Sequence, residues 1–417
     1  FPAFFALVVS RVVLTQGRPA LMAAPAVWVA TELGRTHIFT GFPWVLLGYS
    51  QASVLPIAQL ASIFGVYGVS MLVASVSAAL ALTIVNRGHP PFLSIVRYRD
   101  FVPMAAALAV VLVVAAWGSH RAAVAAWSHS GDAIRVGLIQ GNVEQDEKTQ
   151  VGRAAAIFRD YLTMTRQAIR EGAAFVIWPE SSTPFRFEDD PAAAAQIRTL
   201  ARQAQVPILF GSDQFVRGAN GAPTTFYNSA FLVRPDGTTG GVYRKMHLVP
   251  FGEYVPAKKL FFFAAPLVQA VSDFSPGEDA ALLPVGNHLV STAICYEVVY
   301  PDLVRRFVAG GSEMLTTITN DAWFGPTSAP YQHFEQASMR AVEEGRYLVR
   351  SANTGISGIV DPYGRVLARS EIFQRMVLVG QARFLTSSTF YARHGDILAY
   401  ASVVVTAVLL LLARRPA

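Results

Sequence analysis

The chain begins and ends in long apolar stretches that carry few charges. Five segments approach the length of about 20 residues that an apolar helix needs to cross a bilayer; they are residues 1–14, 19–33, 57–85, 101–117 and 397–413. Some of these runs are also compatible with buried core helices, but residues 105–116 contain only Val, Leu and Ala. Such a run lacks the polar face that a helix on a soluble core usually shows. The pattern therefore predicts a membrane α-helical bundle.

The middle of the chain has a different pattern, in which short β-branched runs alternate with amphipathic segments. The pattern predicts strands over residues 134–139, 175–178, 207–210, 226–233, 289–294, 314–319 and 347–351. It predicts helices over residues 151–170, 191–203 and 332–346. Alternation of this kind is typical of a layered α/β or α+β domain, in which functional side chains gather at strand ends.

Composition and charge support a membrane protein and argue against nucleic-acid binding. The 417 residues are 53% hydrophobic and 15% charged, whereas about 25% charged residues is usual for a soluble domain. The net charge is +6, but many arginines flank the apolar segments instead of forming a dense basic run, as orienting residues do. These arginines are Arg11, Arg18, Arg87, Arg97, Arg99, Arg414 and Arg415. With them on the cytoplasmic side, residues 34–56 and 118–396 lie outside.

The first residue and the single cysteine each limit what the chain can be. Phe1 opens directly into an apolar run with no basic leader or small-residue cleavage site. We therefore expect the natural N-terminus to be missing from this chain, and we do not predict a signal peptide. Cys295 is the single cysteine, so it is either an inert core thiol or a nucleophile, and no intrachain disulfide can form.

Several common catalytic and nucleotide-binding motifs do not occur in this sequence. It has no Walker A loop, no G-x-G-x-x-G after a strand, no H-E-x-x-H, no pair of zinc-binding cysteines and no G-x-S-x-G in the middle block. Nucleotide-binding, metalloenzyme and serine-hydrolase functions therefore lose their usual support.

Three strand ends carry the residues that are most capable of catalysis. FVIWPES (175–181) delivers Glu180, YRKMHLVPFGEYVP (243–256) contains Lys245 and Glu253, and STAICYE (291–297) ends its strand on Cys295. Taken singly, these residues fit a helix cap, a loop charge and a buried thiol. A thiol nucleophile needs a base to accept its proton and a cation to stabilise negative charge. The combination therefore indicates Glu180 as base, Lys245 as cation and Cys295 as nucleophile.

The same three motifs, in this order, resemble the active-site signatures of the carbon-nitrogen hydrolase (nitrilase) superfamily. Together with GFPW (41–44), NDAWFG (320–325) and the flanking apolar segments, they make the chain similar to the apolipoprotein N-acyltransferase family over nearly its whole length. The resemblance implies a four-layer αββα nitrilase-like sandwich on the extracytoplasmic side of a membrane-helix bundle. It also implies additional upstream spans, which we expect this chain to have lost. It also implies a Glu-Lys-Cys triad of Glu180, Lys245 and Cys295, in which Lys245 stabilises the oxyanion.

Three further residues receive supporting roles from the resemblance. Glu253 corresponds to a second active-site glutamate that orients the lysine and the reactants, and Tyr296 and Glu297 correspond to residues beside the nucleophile that full activity requires. One departure is visible, because Lys148 is followed by Thr149 where many family members have Trp. No role of that Trp is therefore carried over to this chain.

The function expected from the resemblance is acyl transfer by a ping-pong mechanism. A fatty acyl group would move from a phospholipid, through a Cys295 thioester, to the N-terminal amine of a diacylglyceryl-cysteine apolipoprotein, with no metal or organic cofactor. We expect a multi-pass protein of the bacterial inner membrane with its catalytic domain in the periplasm. The expected domains are transmembrane helices over residues 1–117, a catalytic domain over residues 118–395, and a final transmembrane helix with a cytoplasmic tail over residues 396–417.

Local apolar surface indicates where a lipid ester could approach the thiol. The segment KKLFFFAAPLVQAV (258–271) is too short to span a bilayer but suits its interface, so we predict either a mobile lipid-binding arm or a buried helix. Aromatic residues elsewhere suit an acyl or headgroup pocket or interfacial anchoring. The candidate lipid-binding residues are Trp44, Phe261, Phe262, Trp323 and Phe324.

Two other functions are alternatives to acyl transfer. A membrane-tethered nitrilase-type amidase acting on a small soluble amide would need the same three residues, with water as acceptor, but would need neither the flanking spans nor the apolar arm. A catalytically silent membrane scaffold would not need Glu180, Lys245 and Cys295 together. We interpret His247 and His333 as structural histidines, because Glu180 and Lys245 already fill the base and cation roles.

Overall fold

The computed structural model describes residues 1–86, 98–144, 147, 151–218, 223–255 and 274–414. The chain divides into two compact units. The first consists of Phe1–Ala125, Val342–Glu344 and Ser388–Ala417, and the second of Ala126–Ala341 and Gly345–Ser387. Each is described by itself.

The first unit is helical. Its helices are α1 (Pro2–Gln16), α2 (Ala24–His37), α3 (Leu55–Ala58), α4 (Ala61–Asn86), α5 (Val102–Val124), α10 (Phe390–His394) and α11 (Ile397–Leu412). Within the described residues, two segments are long and apolar enough to cross a membrane by length and composition: Ala61–Asn86, with 26 residues, and Val102–His129, with 28. The helices Pro2–Gln16 and Ile397–Leu412 are apolar but shorter.

The predicted apolar segments are helical, with local departures. The segment beginning at residue 19 starts as a 3₁₀ turn, Arg18–Ala23, before α2. In α4, Gly65 has a non-helical backbone with φ 64°, a conformation that glycine adopts without steric cost. A Cβ at this position would also collide with the ring of Tyr391. Gly65 therefore permits both a break in the helix and a close aromatic contact.

The second unit contains two sheets of six strands each among its described residues. The strands are β1 (Ala133–Gln140), β2 (Phe175–Ile177), β3 (Ile208–Arg217), β4 (Pro223–Val233), β5 (Thr239–Arg244), β6 (Leu283–Val285), β7 (His288–Ile294), β8 (Met314–Thr319), β9 (Leu348–Ala352), β10 (Gly358–Val360), β11 (Val366–Arg369) and β12 (Met376–Arg383). The first sheet has the order β12-β1-β2-β3-β4-β5, and the second has the order β11-β10-β9-β8-β7-β6.

Both sheets have a parallel centre and antiparallel edges. In the first, β1, β2 and β3 are parallel neighbours, and in the second, β7, β8 and β9 are parallel. The carboxyl ends of parallel strands lie at one edge of a sheet, which is where ligand sites form in α/β folds. Glu180 follows β2, Cys295 follows β7 and Asn320 follows β8, so all three lie near such an edge.

Helices cover both sheets and complete a layered sandwich. The helices of this unit are α6 (Val151–Arg170), α7 (Pro191–Ala204), α8 (Pro301–Ala309) and α9 (Ala329–Glu344). Phe158 of α6 and Ile197 of α7 share a buried core with Trp178 and Phe210 of the first sheet. On the second sheet, Phe334 of α9 packs so closely on Gly358 that a Cβ there would be 2.9 Å from its ring.

The two sheets meet through buried polar as well as apolar contacts. Ser351 Oγ of β9 donates to the Ile139 carbonyl of β1 at 3.0 Å, and Ser357 Oγ donates to Gln140 Oε1 at 2.7 Å. Buried hydroxyls and amides of this kind need partners, because an unpaired buried polar group costs roughly 1–3 kcal/mol. The arrangement is the nitrilase-like α/β sandwich expected from the sequence.

The sequence pattern identified the central elements better than the edges. Every predicted strand and helix of the middle block has a counterpart among the elements above. The pattern missed the four edge strands β5, β6, β11 and β12, and also β10 and the helix α8. Short edge strands with one exposed face, such as Val366–Arg369, carry little of the continuous apolar signal that marks a buried parallel strand.

Candidate active site

Glu180 lies in a tight turn directly after β2, and Gly211 makes room for that turn. A Cβ on Gly211 would lie 2.5 Å from Ser181 N and 2.7 Å from Glu180 Cα, so a larger residue there would displace the carboxylate. The turn is also held by Gly211 N, which donates to the Pro179 carbonyl at 3.2 Å. The carboxylate is buried. It accepts the backbone N–H of Asn320 at Oε2, at 2.9 Å.

Lys245 lies just past β5 and is almost completely enclosed, with 1% of its surface exposed. Its Nζ is 2.9 Å from Glu253 Oε1 and 3.5 Å from Glu180 Oε1. Asn228 of β4 links the two carboxylates by donating from Nδ2 to Glu180 Oε1 at 2.7 Å and to Glu253 Oε1 at 2.9 Å. Val249 N donates to the other oxygen of Glu253 at 2.8 Å. The structure therefore brings Glu180, Lys245 and Glu253 into one hydrogen-bonded cluster.

The charges of this cluster stabilise one another. Burial by itself favours neutral Lys245, but the carboxylates of Glu253 and Glu180 outweigh it, and the pKa of the ammonium is raised. Burial also disfavours ionised Glu253, yet the adjacent Lys245 ammonium holds the pKa of that carboxyl below its usual range. Lys245 is consequently a permanent cation at neutral pH, as stabilisation of an oxyanion requires.

Cys295 begins a short 3₁₀ turn, Cys295–Val299, directly after β7. Its backbone is left-handed, with φ 53°, which costs a non-glycine residue roughly 1–2 kcal/mol. Strain of this kind persists where the surrounding structure fixes it, and it is frequent at functional sites. The residue as a whole is half-buried. Burial and the nearby charge of Glu180 raise the pKa of the thiol, whereas Lys245 lowers it.

Glu297 connects the segment after Lys245 to the turn that begins at Cys295. Its Oε1 accepts Tyr243 Oη and Met246 N, both at 2.7 Å, and its Oε2 accepts Ile294 N at 2.7 Å. Met246 follows Lys245 and Ile294 precedes Cys295, so one carboxylate fixes the backbone beside both. Burial outweighs these hydrogen bonds and raises the pKa of Glu297 to about 7.

Aromatic residues surround part of this site. Tyr296 is buried, and its ring centroid lies 5.2 Å from that of Tyr300. The ring of His247 lies against Tyr300 in a tilted arrangement, with 3.8 Å between centroids. Trp323 belongs to the turn Asp321–Phe324 after β8 and is 73% exposed. Phe324, in the same turn, packs edge-on against His333 at 6.0 Å. The turn therefore presents a free indole surface and a packed phenyl ring.

The other predicted lipid-binding residues lie elsewhere. Trp44 belongs to the helical unit, where it is 9% exposed and stacks on Phe42 at 6.3 Å. Phe261 and Phe262, with the rest of the segment 258–271, lie outside the described residues, as does Thr149. The roles assigned to these residues stay predictions.

Two residues that touch Glu180 were not predicted from the sequence. Asn228 lies in an otherwise apolar part of β4, next to Ser229, and these two adjacent polar residues in a buried strand were a usable signal. Asn320 contributes a backbone N–H, which no residue identity reveals. In the described parts of the chain no group of three His, Cys, Asp or Glu residues could hold a metal ion.

The geometry matches a known class of protein. Residues 135–385 match the carbon-nitrogen hydrolase family, and these residues contain both sheets except for the first two residues of β1. Residues 1–79 match the apolipoprotein N-acyltransferase N-terminal domain. The fold and site therefore define a carbon-nitrogen hydrolase-type domain joined to a second, family-specific domain.

Full-length relatives identify the family within that class. The chain is 40% identical to an apolipoprotein N-acyltransferase of Geobacter metallireducens, with 100% of this chain and 78% of that protein aligned. It is 36% identical to one of Methylococcus capsulatus, with 90% and 70% aligned, and 35% identical to one of Bradyrhizobium diazoefficiens, with 98% and 76% aligned. The chain belongs to the apolipoprotein N-acyltransferase family.

Proposed function

We propose that this protein transfers a fatty acyl group from a phospholipid to the N-terminal amine of a diacylglyceryl-cysteine apolipoprotein. The observation that carries the proposal is the position of Cys295 at the end of β7, near the buried pair in which Lys245 Nζ lies 3.5 Å from Glu180 Oε1. A protonated thiol, an adjacent carboxylate and a permanent cation are the groups that thioester formation needs. Membership of the family supplies the donor and acceptor.

The first half-reaction forms the thioester. Glu180 accepts the Cys295 proton, and the thiolate attacks the ester carbonyl carbon of the phospholipid, forming a C–S bond. The resulting oxyanion is stabilised by Lys245 and by the backbone N–H of Tyr296. The tetrahedral intermediate then breaks its C–O bond, and the glycerol oxygen leaves with the proton held by Glu180 as a lysophospholipid.

The second half-reaction releases the product. The α-amine of the apolipoprotein attacks the thioester carbonyl, and Glu180 accepts a proton from the attacking nitrogen. The C–S bond breaks, the amide leaves, and Cys295 regains its proton. Glu253 and Asn228 support both steps, because each hydrogen-bonds the groups that move or stabilise charge.

The helical unit suits a membrane location for this reaction. Transferring an acyl chain into water costs about 0.8 kcal/mol per exposed CH₂. An enzyme at the bilayer avoids this cost, because the acyl chain stays in an apolar environment while the ester reacts. We assign residues 1–117 and 396–417 to membrane spans of the bacterial inner membrane, with residues 118–395 in the periplasm. The arginines beside the apolar segments support this orientation.

The aromatic turn suits the lipid substrate. Trp323 offers an exposed indole on the turn that follows Asn320, whose backbone contacts Glu180. We therefore assign Trp323 to the acyl or headgroup pocket. Phe324, Trp44 and the segment 258–271 with Phe261 and Phe262 are further lipid contacts in this proposal.

The test is intact-mass spectrometry of the full chain after incubation with a defined phosphatidylethanolamine, compared with Cys295→Ser. We expect one acyl mass on Cys295, absent from the variant and discharged when a diacylated lipopeptide is added. Glu313→Gln, remote from the site, serves as a folded control.

Either of two results would argue against the proposal. An adduct that water discharges as fast as the lipopeptide does would favour the membrane-tethered amidase. A well-folded wild-type chain that forms no adduct would remove the thioester from the mechanism altogether.

A further inference from the structure

A second buried polar cluster, formed by His333, Asp321 and Arg350, contacts the backbone carbonyl of Cys295. His333 of α9 is fully enclosed, and its Nε2 is 3.2 Å from the Cys295 carbonyl oxygen. Its Nδ1 is 3.0 Å from Asp321 Oδ1 and 2.9 Å from Arg350 Nη2. The histidine therefore connects a buried ion pair to the peptide unit that follows the nucleophile.

The neighbours of the ring determine where its proton resides. A carbonyl oxygen only accepts hydrogen bonds, so the contact with Cys295 requires a proton on Nε2. If the ring is neutral, Nδ1 then accepts a hydrogen bond from Arg350 Nη2. If it is charged, Nδ1–H donates to Asp321. In both charge states Nε2–H donates to the Cys295 carbonyl.

The neutral form is the one favoured at neutral pH. Burial and the Arg350 guanidinium lower the pKa of His333, and Asp321 offsets them only in part. The titratable and charged groups that contact the ring are Asp321 and Arg350. The direction of donation to Cys295 does not depend on which form prevails.

Asp321 and Arg350 are themselves fixed in place. Asp321 accepts Thr319 Oγ1 at 2.8 Å and Arg350 Nη2 at 3.0 Å. A Cβ at Gly355 would collide with Asp321 Oδ2, so the carboxylate is packed against backbone on that side. Arg350 Nε also donates to the Ile356 carbonyl at 3.2 Å. The cluster is a rigid support for the imidazole.

The peptide unit between Cys295 and Tyr296 carries two groups that matter here, the Cys295 carbonyl and the Tyr296 N–H. A trans peptide is planar, so the Cys295 carbonyl and the Tyr296 N–H point in opposite directions. Fixing the carbonyl therefore fixes the direction of the N–H. We propose that His333 is a positioning residue that orients the Tyr296 N–H as oxyanion donor. This inference rests on the proposed acyl transfer through Cys295.

The geometry distinguishes this role from general base catalysis. His333 faces the carbonyl oxygen of Cys295, and both of its nitrogens already have partners. Its loss should therefore affect the oxyanion and not the thiol proton. Two reactions of the same thiol separate these effects: acylation by an ester forms an oxyanion, whereas alkylation by iodoacetamide forms none.

The experiment measures both reactions on the full chain in detergent, for wild type, His333→Leu and His333→Gln. Glutamine places an N–H donor close to the position of Nε2, and leucine has none. With p-nitrophenyl butyrate as ester, we expect His333→Leu to lose about tenfold to a hundredfold in kcat for acylation with little change in KM. Its alkylation rate should stay within about twofold of wild type, because that step needs no oxyanion donor.

His333→Gln should recover most of the acylation rate. Asp361→Asn is the matched control for stability, because Asp361 is an equally buried carboxylate that accepts Tyr363 N and Arg365 N, both at 2.9 Å. It should lower the unfolding temperature without changing the ratio of the two rates.

Three outcomes would overturn the inference. They are unchanged acylation in His333→Leu, a parallel loss of acylation and alkylation, and a folded His333→Gln that is as slow as His333→Leu. Failure of the wild-type chain to acylate at all would instead count against the proposed function, so the two failures are distinguishable.

Discussion

Two buried charged clusters adjoin Cys295, and they differ in charge balance and in exposure. Glu180, Lys245 and Glu253 combine two carboxylates with one ammonium, and side-chain exposure is 1% at the lysine but 8% and 13% at the glutamates. Asp321 and Arg350 form a one-to-one ion pair, and both side chains are 0% exposed. The first cluster keeps an excess carboxylate that can take a proton. The second is balanced and sealed.

This difference separates chemistry from positioning. A group that exchanges protons with substrate has to be reachable and has to change charge during turnover. A group that fixes the backbone should instead be inaccessible and keep a constant charge. An enclosed, balanced ion pair meets both conditions, because neither solvent nor substrate competes for its hydrogen bonds. The first cluster contacts the reacting atoms in our proposal, and the second acts on them through the Cys295 carbonyl.

The largest expected effect comes from removing the excess carboxylate. Glu180→Gln should slow acylation of Cys295 by about 10²- to 10⁴-fold, because the thiol loses its proton acceptor. The charge of Glu180 raises the pKa of the thiol, so the same change should move the alkylation pH profile to lower pH. Stopped-flow acylation and iodoacetamide rates between about pH 6 and pH 10 measure both effects. Equal slowing of both reactions would contradict this role.

The next effect is on stability and tests the charge balance directly. Lys245→Met leaves Glu180 and Glu253 facing each other without a cation, and breaking a buried pair in this way costs about 3–5 kcal/mol. Urea unfolding of the detergent-solubilised chain, followed by near-UV circular dichroism, measures the loss.

The double variant Lys245→Met/Glu253→Gln is the matched control. Removing one of the two opposed carboxylates should restore much of the lost stability while leaving acylation absent. A double variant as unstable as Lys245→Met would show that repulsion between the carboxylates is not the cause.

A smaller effect concerns the pH dependence that Glu297 contributes. Its pKa in the folded chain, about 7, lies above the ordinary value of 4.5, so the folded state binds this proton more tightly than the unfolded state. The stability from this group is present below the ordinary pKa and is lost as pH rises through about 7. Glu253 has a lowered pKa, and its contribution changes only at more acidic pH.

Thermal unfolding of wild type and Glu297→Gln at several values between about pH 5 and pH 8 tests this assignment. The wild-type unfolding temperature should fall across the range, and the variant should show a flatter profile. A slope that persists unchanged in Glu297→Gln would assign the pH dependence to another group.

The smallest effect is expected at the aromatic turn. Trp323→Ala removes a side chain that is 73% exposed, so stability should change by no more than about 0.5 kcal/mol. If Trp323 contacts the lipid, KM for a long-chain phospholipid in vesicles should rise several-fold while acylation by a short soluble ester is unchanged. Leu367→Ala, at 51% exposure and outside the site, is the control. An equal change for both substrates would exclude a lipid contact.

The sequence predicted the central strands, the apolar helices and the residues most capable of chemistry. Strand periodicity and apolar runs are local signals, and they located the ends of β2 and β7 closely enough to single out Glu180 and Cys295. Lys245 follows β5, which the pattern missed, and it was singled out by its motif. The resemblance to a known family depended on the same short motifs. None of these inferences required knowing which strands are neighbours.

What only the tertiary structure decided is which distant groups meet. Asn320 contributes a backbone N–H to Glu180 across 140 positions in the chain, and His333 reaches the carbonyl of Cys295 across 38. Both contacts depend on the order of the strands within and between the two sheets, which local periodicity does not encode. Hydrogen bonds to backbone atoms leave no mark on residue identity, so a histidine that reads as structural in the sequence acquires its place beside the nucleophile only in the folded chain.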